Sequence, residues 1–97
     1  MNIRKTPEFD EWLSSQNRHS RGHIEDRLDR IREHNHFGDR KYLGAELHEL
    51  RWKNGRRVYY AVAVDNDGKI AIMLLGGNKN GQNQDIAQAR RLLEREE

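Results

Sequence analysis

The chain is 97 residues long, with 34% hydrophobic residues, 35% charged residues, a net charge of +2 and no cysteine. This length predicts a single domain spanning residues 1–97, and the missing cysteines exclude a disulfide framework and a thiolate metal site. Because the sequence shows neither a signal peptide nor an apolar run long enough to cross a bilayer, we expect a cytoplasmic protein without a membrane partner.

Two helices are predicted in the first third of the chain, after a weak strand signal at residues 2–6. Thr6 and Pro7 form a typical helix start, with a capping hydroxyl followed by proline at the first helical position. Ser20 is expected to cap a second helix that ends near residue 35. Apolar residues at helical spacing predict a helical hairpin packed on a sheet: Phe9, Trp12, Leu13, Ile24, Leu28 and Ile31.

The remaining faces of the second helix are dense in charge and include Glu25, Arg27 and Arg30. Such a pattern is typical of a solvated helix surface rather than of a binding site. Residues 36–46 are expected to form a loop, because Gly38 and Gly44 interrupt any regular pattern there.

Three consecutive strands are predicted between residues 47 and 82. Residues 57–64 are β-branched and aromatic, residues 70–75 are continuously apolar, and Asn-Gly and Asp-Gly pairs mark the two reversals. A last helix is predicted for residues 83–95, with Ile86, Ala89 and Leu93 on one stripe and only loose docking. The expected fold is α+β, with an N-terminal helical hairpin on one face of a small antiparallel sheet and a C-terminal helix.

The first reversal allows two registers, which place different side chains on each face of the sheet. A two-residue turn at residues 54–55 pairs Trp52 with Arg57. A three-residue loop at residues 53–55, with Gly55 in the left-handed region, pairs Arg51 with Arg57. A slip of one residue moves every side chain to the other face, and only the second register separates apolar from charged residues. We therefore predict the three-residue loop.

This register predicts a core face and an open face of the sheet. The core face would carry Leu50, Trp52, Val58, Tyr60, Val62 and Val64, and the open face Glu49, Arg51, Arg57, Tyr59, Ala61 and Ala63. In the third strand we expect Ile70, Ile72 and Leu74 on the core face and Ala71, Met73 and Leu75 on the open face. The open face would then combine a basic rim with a small apolar floor.

Basic residues are concentrated in the predicted sheet, since residues 47–82 carry six basic and three acidic groups. A surface that meets phosphate is expected to have this sign, although charges on edge strands and turns also keep a sheet soluble. The histidines form no HExxH pattern, and Gly76-Gly77 lacks the spacing of a phosphate-binding loop. Neither a metal nor a cofactor is therefore expected.

Several segments of the sheet region and the last helix form one ordered pattern: Glu49-Leu50-Arg51, Gly55-Arg56-Arg57-Val58-Tyr59, and Leu74-Leu75-Gly76-Gly77-Asn78-Lys79 followed by Gln82, Asp85-Ile86 and Ala89. This pattern resembles the RelE/ParE toxin superfamily, and more narrowly its HigB-like branch of addiction-module killer proteins. The resemblance covers nearly the whole chain in order. It implies a RelE-like fold and the toxin of a type II toxin–antitoxin system. Many such toxins enter the ribosome, cleave mRNA and inhibit translation, and a cognate antitoxin, often a helix-turn-helix protein, neutralises them.

The resemblance implies a metal-independent endoribonuclease whose catalytic candidates are Arg51, Arg57, Tyr59 and Lys79, with Lys53, Arg56 and Gln82 as RNA-binding candidates. RNA cleavage by its own 2′-hydroxyl needs a base, cations for the crowded phosphate and an acid for the 5′-oxygen. The two arginines suit phosphate because a guanidinium is planar, bidentate and always charged. Tyr59 or His48 could transfer a proton, although the chosen register turns His48 toward the core face.

Three functions remain open at this point. The first is the ribosome-dependent mRNA endonuclease, the second is a ParE-like inhibitor of DNA gyrase, and the third is a non-catalytic antitoxin-binding relative. Without the resemblance, Arg51 and Arg57 would be assigned to a cross-strand ladder with Glu49. We also expect an acidic antitoxin segment to dock at Arg51, Arg57 and Lys79, while docking on the helical hairpin is the competing possibility.

Overall fold

The computed structural model describes all 97 residues and contains five strands and three helices. In chain order they are β1 (Asn2–Lys5), α1 (Pro7–Ser15), α2 (Arg18–His34), β2 (Arg40–Gly44), β3 (Leu47–Arg51), β4 (Arg56–Asp65), β5 (Gly68–Asn78) and α3 (Gln82–Glu96), with a 3-10 turn at Lys79–Gly81 before α3. The predicted α+β class is confirmed. None of the three helices combines the length and the apolar character that a membrane span requires.

The five strands form one sheet in the order β1-β5-β4-β3-β2. β1 pairs in parallel with β5, and the other three neighbouring pairs are antiparallel. The expected purely antiparallel sheet is therefore wrong, because the first strand of the chain joins the edge beside the last strand. The chain consequently begins with a strand, and the two helices that follow are not its N-terminal element.

The helices α1 and α2 begin at side-chain caps. The Thr6 hydroxyl accepts a hydrogen bond from the Phe9 N–H at 3.0 Å, as the Thr6-Pro7 pattern predicted. The cap of α2 is Asn17 rather than Ser20, since the N–H of Ser20 donates to Oδ1 of Asn17 at 2.8 Å. The helix ends where Asn35 takes the left-handed conformation.

One face of the sheet packs against α1 and α2, and it is called here the α1/α2 face. Its core consists of Phe9, Leu13, Ile24, Leu28, Ile31, Phe37, Leu50, Val58, Tyr60, Ala71 and Met73. Arg51 lies opposite Arg57 across β3 and β4, and Gly55 has a φ of 95°. The three-residue loop and its register are therefore confirmed, as is the position of Leu50, Val58 and Tyr60 on the face under the helices.

The strand β2 occupies part of the segment that was predicted to be a loop. Arg40, Lys41 and Tyr42 are exposed, and Leu43 is half-buried. The strand exists because its backbone pairs with β3 from Arg40 opposite Leu50 to Gly44 opposite Leu47. An exposed edge strand buries too few side chains to show an alternating apolar pattern. The turn signals at Gly38 and Gly44, both with positive φ, mark the ends of this strand.

A β-bulge in β5 changes which face its residues occupy. Tyr59 lies opposite Leu75 and Tyr60 lies opposite Met73, so Leu74 is an extra residue in β5. Its backbone carbonyl accepts a hydrogen bond from the Thr6 hydroxyl at 2.7 Å. The predicted faces are therefore wrong for the residues up to the bulge: Ala71 and Met73 lie on the α1/α2 face, and Ile70, Ile72 and Leu74 lie on the other face. Beyond the bulge, Leu75 lies on the same face as Tyr59, as predicted.

The helix α3 packs on the second face of the sheet, which is called here the α3 face. Its core consists of Leu47, Tyr59, Ala61, Ile72, Leu74, Leu75, Ala89, Leu92 and Leu93. The prediction of an open face with an exposed alanine and methionine floor is therefore wrong, and so is the prediction of a loosely docked last helix. Conversely, Val62 and Val64 were expected in the core, but they are exposed because neither helical layer reaches them.

Candidate functional site

Arg51 and Arg57 face each other on the α3 face with the carboxylate of Glu49 beside both. Oε1 of Glu49 lies 3.8 Å from Nε of Arg51 and 3.9 Å from Nε of Arg57. Glu49 is 1% exposed, and a carboxylate buried to this extent needs positive partners around it. Glu49, Arg51, Arg57, Tyr59 and Gln82 are called here the arginine cluster.

The two arginines differ in how much of the side chain reaches solvent. The side chain of Arg51 is 41% exposed, whereas that of Arg57 is 10% exposed. Nη1 of Arg57 donates to the backbone carbonyls of Arg56 at 3.0 Å and Trp52 at 3.4 Å, so Arg57 stabilises the β3–β4 turn from inside. Arg51 is therefore the guanidinium of the cluster that can reach a phosphate in solution.

Tyr59 is fully buried, and its hydroxyl has no hydrogen-bond partner. Burial, followed by the nearby carboxylates of Glu49 and Asp85, raises the pKa of Tyr59 to about 12. A phenol with this pKa stays protonated at neutral pH. Tyr59 is thus placed in the predicted group of residues, but at a depth where it does not contact a ligand on the surface.

Gln82 connects α3 to the arginine cluster. Its side-chain Nε2 donates to Oε2 of Glu49 at 3.0 Å, which leaves Glu49 with one oxygen facing the arginines and the other bound to the amide. Because Gln82 is the first residue of α3, this bond fixes the N-terminal end of the helix over the sheet. The predicted RNA-binding side chain is therefore occupied by an internal contact.

The other predicted basic residues gather at the same end of the sheet, although not all on one face. The N–H of Lys79 donates to the Gly55 carbonyl at 2.9 Å, and its side chain lies along Gly55. Lys53 is exposed in the β3–β4 turn. Arg56 lies on the α1/α2 face, where Nη2 donates to the Ser20 hydroxyl at 2.9 Å and the guanidinium lies 5.6 Å from the Trp52 ring centroid.

Asp85 is a member of this surface that the sequence did not single out for chemistry. It lies over Gly77, the residue opposite Arg57, where any side chain on Gly77 would overlap the Asp85 carboxylate. Burial raises the pKa of Asp85 above its ordinary value. The sequence signal for Asp85 is Gly77, the second glycine of Gly76-Gly77. A glycine inside a strand indicates that another group lies too close to the strand for a side chain to fit.

His48 lies on the α1/α2 face, as the register predicted. Its ring stacks on the ring of Tyr60 in β4, with 5.0 Å between centroids, and the ring centroid of Tyr42 in β2 lies 4.9 Å from that of His48. Burial and, to a lesser extent, the positive charge of Arg40 lower the pKa of His48. The structure separates this imidazole from the arginine cluster by the thickness of the sheet, and it has a packing role there.

No family model matches the chain, and no solved structure matches it. An uncharacterized protein of Haemophilus influenzae (strain Rd) is 36% identical to the chain over 91 residues, which are 93% of this chain and 90% of that protein. The chain belongs to the same family as this protein. The relative's name states no activity, so a function for the family has to be argued from the geometry of the arginine cluster and its surroundings.

Proposed function

We propose that the chain is the toxin of a type II toxin–antitoxin pair, of the HigB-like branch of the RelE/ParE superfamily, and that it cleaves mRNA on the ribosome. The observation that carries this proposal is the basic end of the sheet, where Arg51 and Arg57 meet at Glu49 and Lys53 and Lys79 lie beside the same turn. Such a surface suits a polyanionic backbone. The order of layers, with α1 and α2 on one face and α3 on the other, also supports a RelE-like fold.

The chemistry begins with Arg51, whose exposed guanidinium binds two oxygens of the scissile phosphate. The 2′-oxygen attacks phosphorus while its proton passes to the carboxylate of Asp85, and the 5′-oxygen leaves with a proton from Lys79. The products are a 2′,3′-cyclic phosphate and a 5′-hydroxyl end. Asp85 is better suited than Glu49 as the base, because Glu49 is almost completely buried and Asp85 is partly exposed.

Arg57, Tyr59 and Gln82 then support the reactive groups without contacting RNA themselves. Arg57 and Gln82 hold Glu49, and Glu49 holds Arg51 in the orientation that faces solvent. Tyr59 fills the space beneath them. This division of roles changes the initial hypothesis, in which Arg57 and Tyr59 were catalytic.

The burial of Arg57 also favours a second candidate, a relative that binds its antitoxin or DNA gyrase and cleaves nothing. A guanidinium bonded to the Trp52 and Arg56 carbonyls stabilises a turn whether or not the surface is catalytic. In either function, the exposed cations Arg51 and Lys79 suit an acidic segment of a helix-turn-helix antitoxin, which would block this surface directly.

The test is to induce the parent chain in a bacterial host and map the 5′ ends of translated mRNAs. We expect cuts in phase with codons, and we expect Arg51→Ala to reduce them by about 100-fold or more, since a donor to the transition state is lost. Arg91→Ala is the matched control, because Arg91 is an exposed arginine on α3 without an ion-pair partner. Both variants should fold, as measured by circular dichroism.

Two results would contradict cleavage at this site. If folded Arg51→Ala cuts mRNA as well as the parent, the arginine cluster is not where phosphate is bound. If growth stops while mRNA stays intact and DNA supercoiling falls, the gyrase-inhibiting function replaces the endonuclease. If the parent neither arrests growth nor cuts mRNA, only a binding function is left.

A further inference from the structure

The outer half of β4 has one backbone edge without a neighbouring strand. β3 pairs with β4 only from His48 opposite Tyr60 to Arg51 opposite Arg57. β3 does not extend further in the N-terminal direction, because Ala45 and Glu46, which both have positive φ, form the turn that connects β2 to β3. From Val62 to Asp65, β4 therefore pairs with β5 alone.

The backbone groups on this free edge point away from β5. The N–H of Trp52 donates to the carbonyl of Arg56 at 3.0 Å, so the backbone groups of Arg56 face β3. Because these groups alternate along a strand, those of Val62 and Val64 point to the same side, where β3 no longer runs. Two N–H groups and two carbonyls are thus presented in the spacing that an added strand requires.

The side chains of this edge carry less charge than those of the other edges of the same sheet. The outer strand β1 carries Arg4 and Lys5, and the outer strand β2 carries Arg40 and Lys41. In contrast, residues 62–64 of β4 read Val-Ala-Val, Val64 is 76% exposed, and the charge of this edge is at its last residue, Asp65. In natural proteins, charges, proline or bulges usually prevent an edge strand from pairing with another chain. An apolar free edge therefore indicates a partner strand.

A groove of about 460 Å³ runs between this edge and the C-terminal end of α3. Its apolar floor is formed by Ala61, Ala63, Ile72 and Leu93. The glutamates at this end of the molecule without an ion-pair partner are Glu46, Glu94 and Glu97, whereas Glu96 pairs with Arg4 at 3.4 Å. The cations nearby are Arg4 and Arg95, which both pair with Glu96, Arg90, which donates to the Leu43 and Gly44 carbonyls, and Lys69, which lies opposite Val64.

We propose that this free edge binds an extended segment of a partner protein in which apolar and basic residues alternate. The segment pairs with the backbone of Val62 and Val64, and its apolar side chains lie beside those two valines on the α1/α2 side. Its lysine or arginine stems cover the alanine floor on the α3 side, with their charged ends at Glu46 and Glu97.

A second copy of the chain fits this edge less well than a basic partner segment does. Pairing two free edges would bring the unpaired glutamates of both copies to one interface, and like charges at an interface oppose association. The proposal does not depend on RNA cleavage. Arg57 and Val64 are seven residues apart along β4, which places the two arginines of the cluster about 23 Å from Val64.

The direct test uses two fluorescein-labelled nine-residue peptides, one alternating valine with lysine and the other alternating valine with glutamate. We expect the full chain to bind the lysine peptide saturably, with fluorescence anisotropy showing at least tenfold weaker binding of the glutamate peptide. Amide hydrogen exchange at Val62 and Val64 should slow when the lysine peptide is added, since both N–H groups acquire acceptors. Binding should also weaken as salt is raised.

Two variants keep the test specific to the edge. Val64→Pro removes one N–H from the free edge without removing a bond to β5, and it should weaken the lysine peptide at least tenfold. Val64→Thr keeps that N–H and the branched side chain, so it should bind like the parent. The double variant Glu46→Lys/Glu97→Lys should reverse the preference between the two peptides.

The proposal is overturned if the lysine peptide does not bind, if both peptides bind the parent equally, or if exchange slows only at residues outside β4. It is also overturned in favour of a second copy if Val62 and Val64 become protected as the concentration of the free chain rises. Circular dichroism of each variant shows whether a loss of binding reflects a loss of the fold.

Discussion

At the scale of single residues, Arg27 shows how a charged side chain on a helix can be part of the core. Its Nε donates to the Phe37 carbonyl at 2.9 Å, Nη1 to the Arg51 carbonyl at 2.8 Å and Nη2 to the Asp39 carbonyl at 2.6 Å. The guanidinium also lies 4.4 Å from the Trp52 ring centroid. Arg27 thus joins α2 to the segment before β2 and to the end of β3, directly beneath the arginine cluster.

We expect Arg27→Met to lower the free energy of unfolding by about 2 kcal/mol, because the buried bond to the Phe37 carbonyl and the two half-buried bonds to the Arg51 and Asp39 carbonyls are lost while the methionine fills similar space. Arg27→Lys should recover only part of this loss, since one ammonium cannot reach all three carbonyls in the geometry of a guanidinium. Denaturant unfolding measures both. Arg30→Met, at an exposed position of the same helix, is the control and should stay within about 0.5 kcal/mol of the parent. A similar small effect for Arg27→Met would show that water replaces the donor.

At the scale of elements, the start of α1 and the bulge of β5 are held by one side chain. The Thr6 hydroxyl donates to the Leu74 carbonyl at 2.7 Å and accepts from the Phe9 N–H at 3.0 Å. The backbone N–H of Thr6 also donates to the Met73 carbonyl at 3.1 Å. The bulge is therefore bonded to the strand-to-helix connection that precedes α1.

We expect Thr6→Val to cost about 2 kcal/mol of stability, because the variant has nearly the same shape but can neither cap α1 nor satisfy the Leu74 carbonyl. Thr6→Ser keeps the hydroxyl and should cost less than half as much. Thermal or denaturant unfolding gives the stabilities, and amide exchange near Leu74 reports on the bulge. If both variants were equally destabilised, the lost methyl packing rather than the hydroxyl would be the cause.

At the scale of the whole molecule, the layers on the two faces of the sheet are joined by one pair of side chains. Two guanidinium nitrogens of Arg95, on α3, donate to the two carboxylate oxygens of Glu8, on α1, at 2.7 Å each. These hydrogen bonds, more than the charge of Arg95 alone, lower the pKa of Glu8 from 4.5 to about 2.

The lowered pKa of Glu8 gives stability a defined dependence on pH. A carboxyl whose pKa is depressed by folding contributes stability above its unfolded pKa of 4.5, and the contribution is lost as the pH falls toward 2. We expect Glu8→Gln to reduce the loss of stability between pH 4.5 and pH 2, as measured by denaturant unfolding across that range. Glu11→Gln, on an exposed position of the same helix, should follow the parent curve. A Glu8→Gln curve parallel to the parent would contradict the ion pair.

The sequence by itself determined the features that depend on neighbours along the chain. The turn residues around Gly55 and the alternation in β4 were sufficient to predict that Arg51 faces Arg57. The Thr6-Pro7 start and the apolar stripes likewise predicted the three helices, because capping and helical periodicity are local properties. At the candidate site, Arg51 and Arg57 were therefore placed together before any long-range contact was known, whereas Lys79 was assigned there by the resemblance alone.

Only the tertiary structure decided which surfaces are covered and how deeply each site residue lies. The bulge at Leu74 accepts a hydrogen bond from Thr6, 68 residues away in the chain, and alternation within β5 could not reveal such a contact. The same holds for Arg27, whose carbonyl partners lie in loops and in β3, and for the burial of Arg57 on the α3 face. A side chain shows its own polarity in the sequence, but its exposure is set by distant elements that compete to bury their apolar surface on the same sheet.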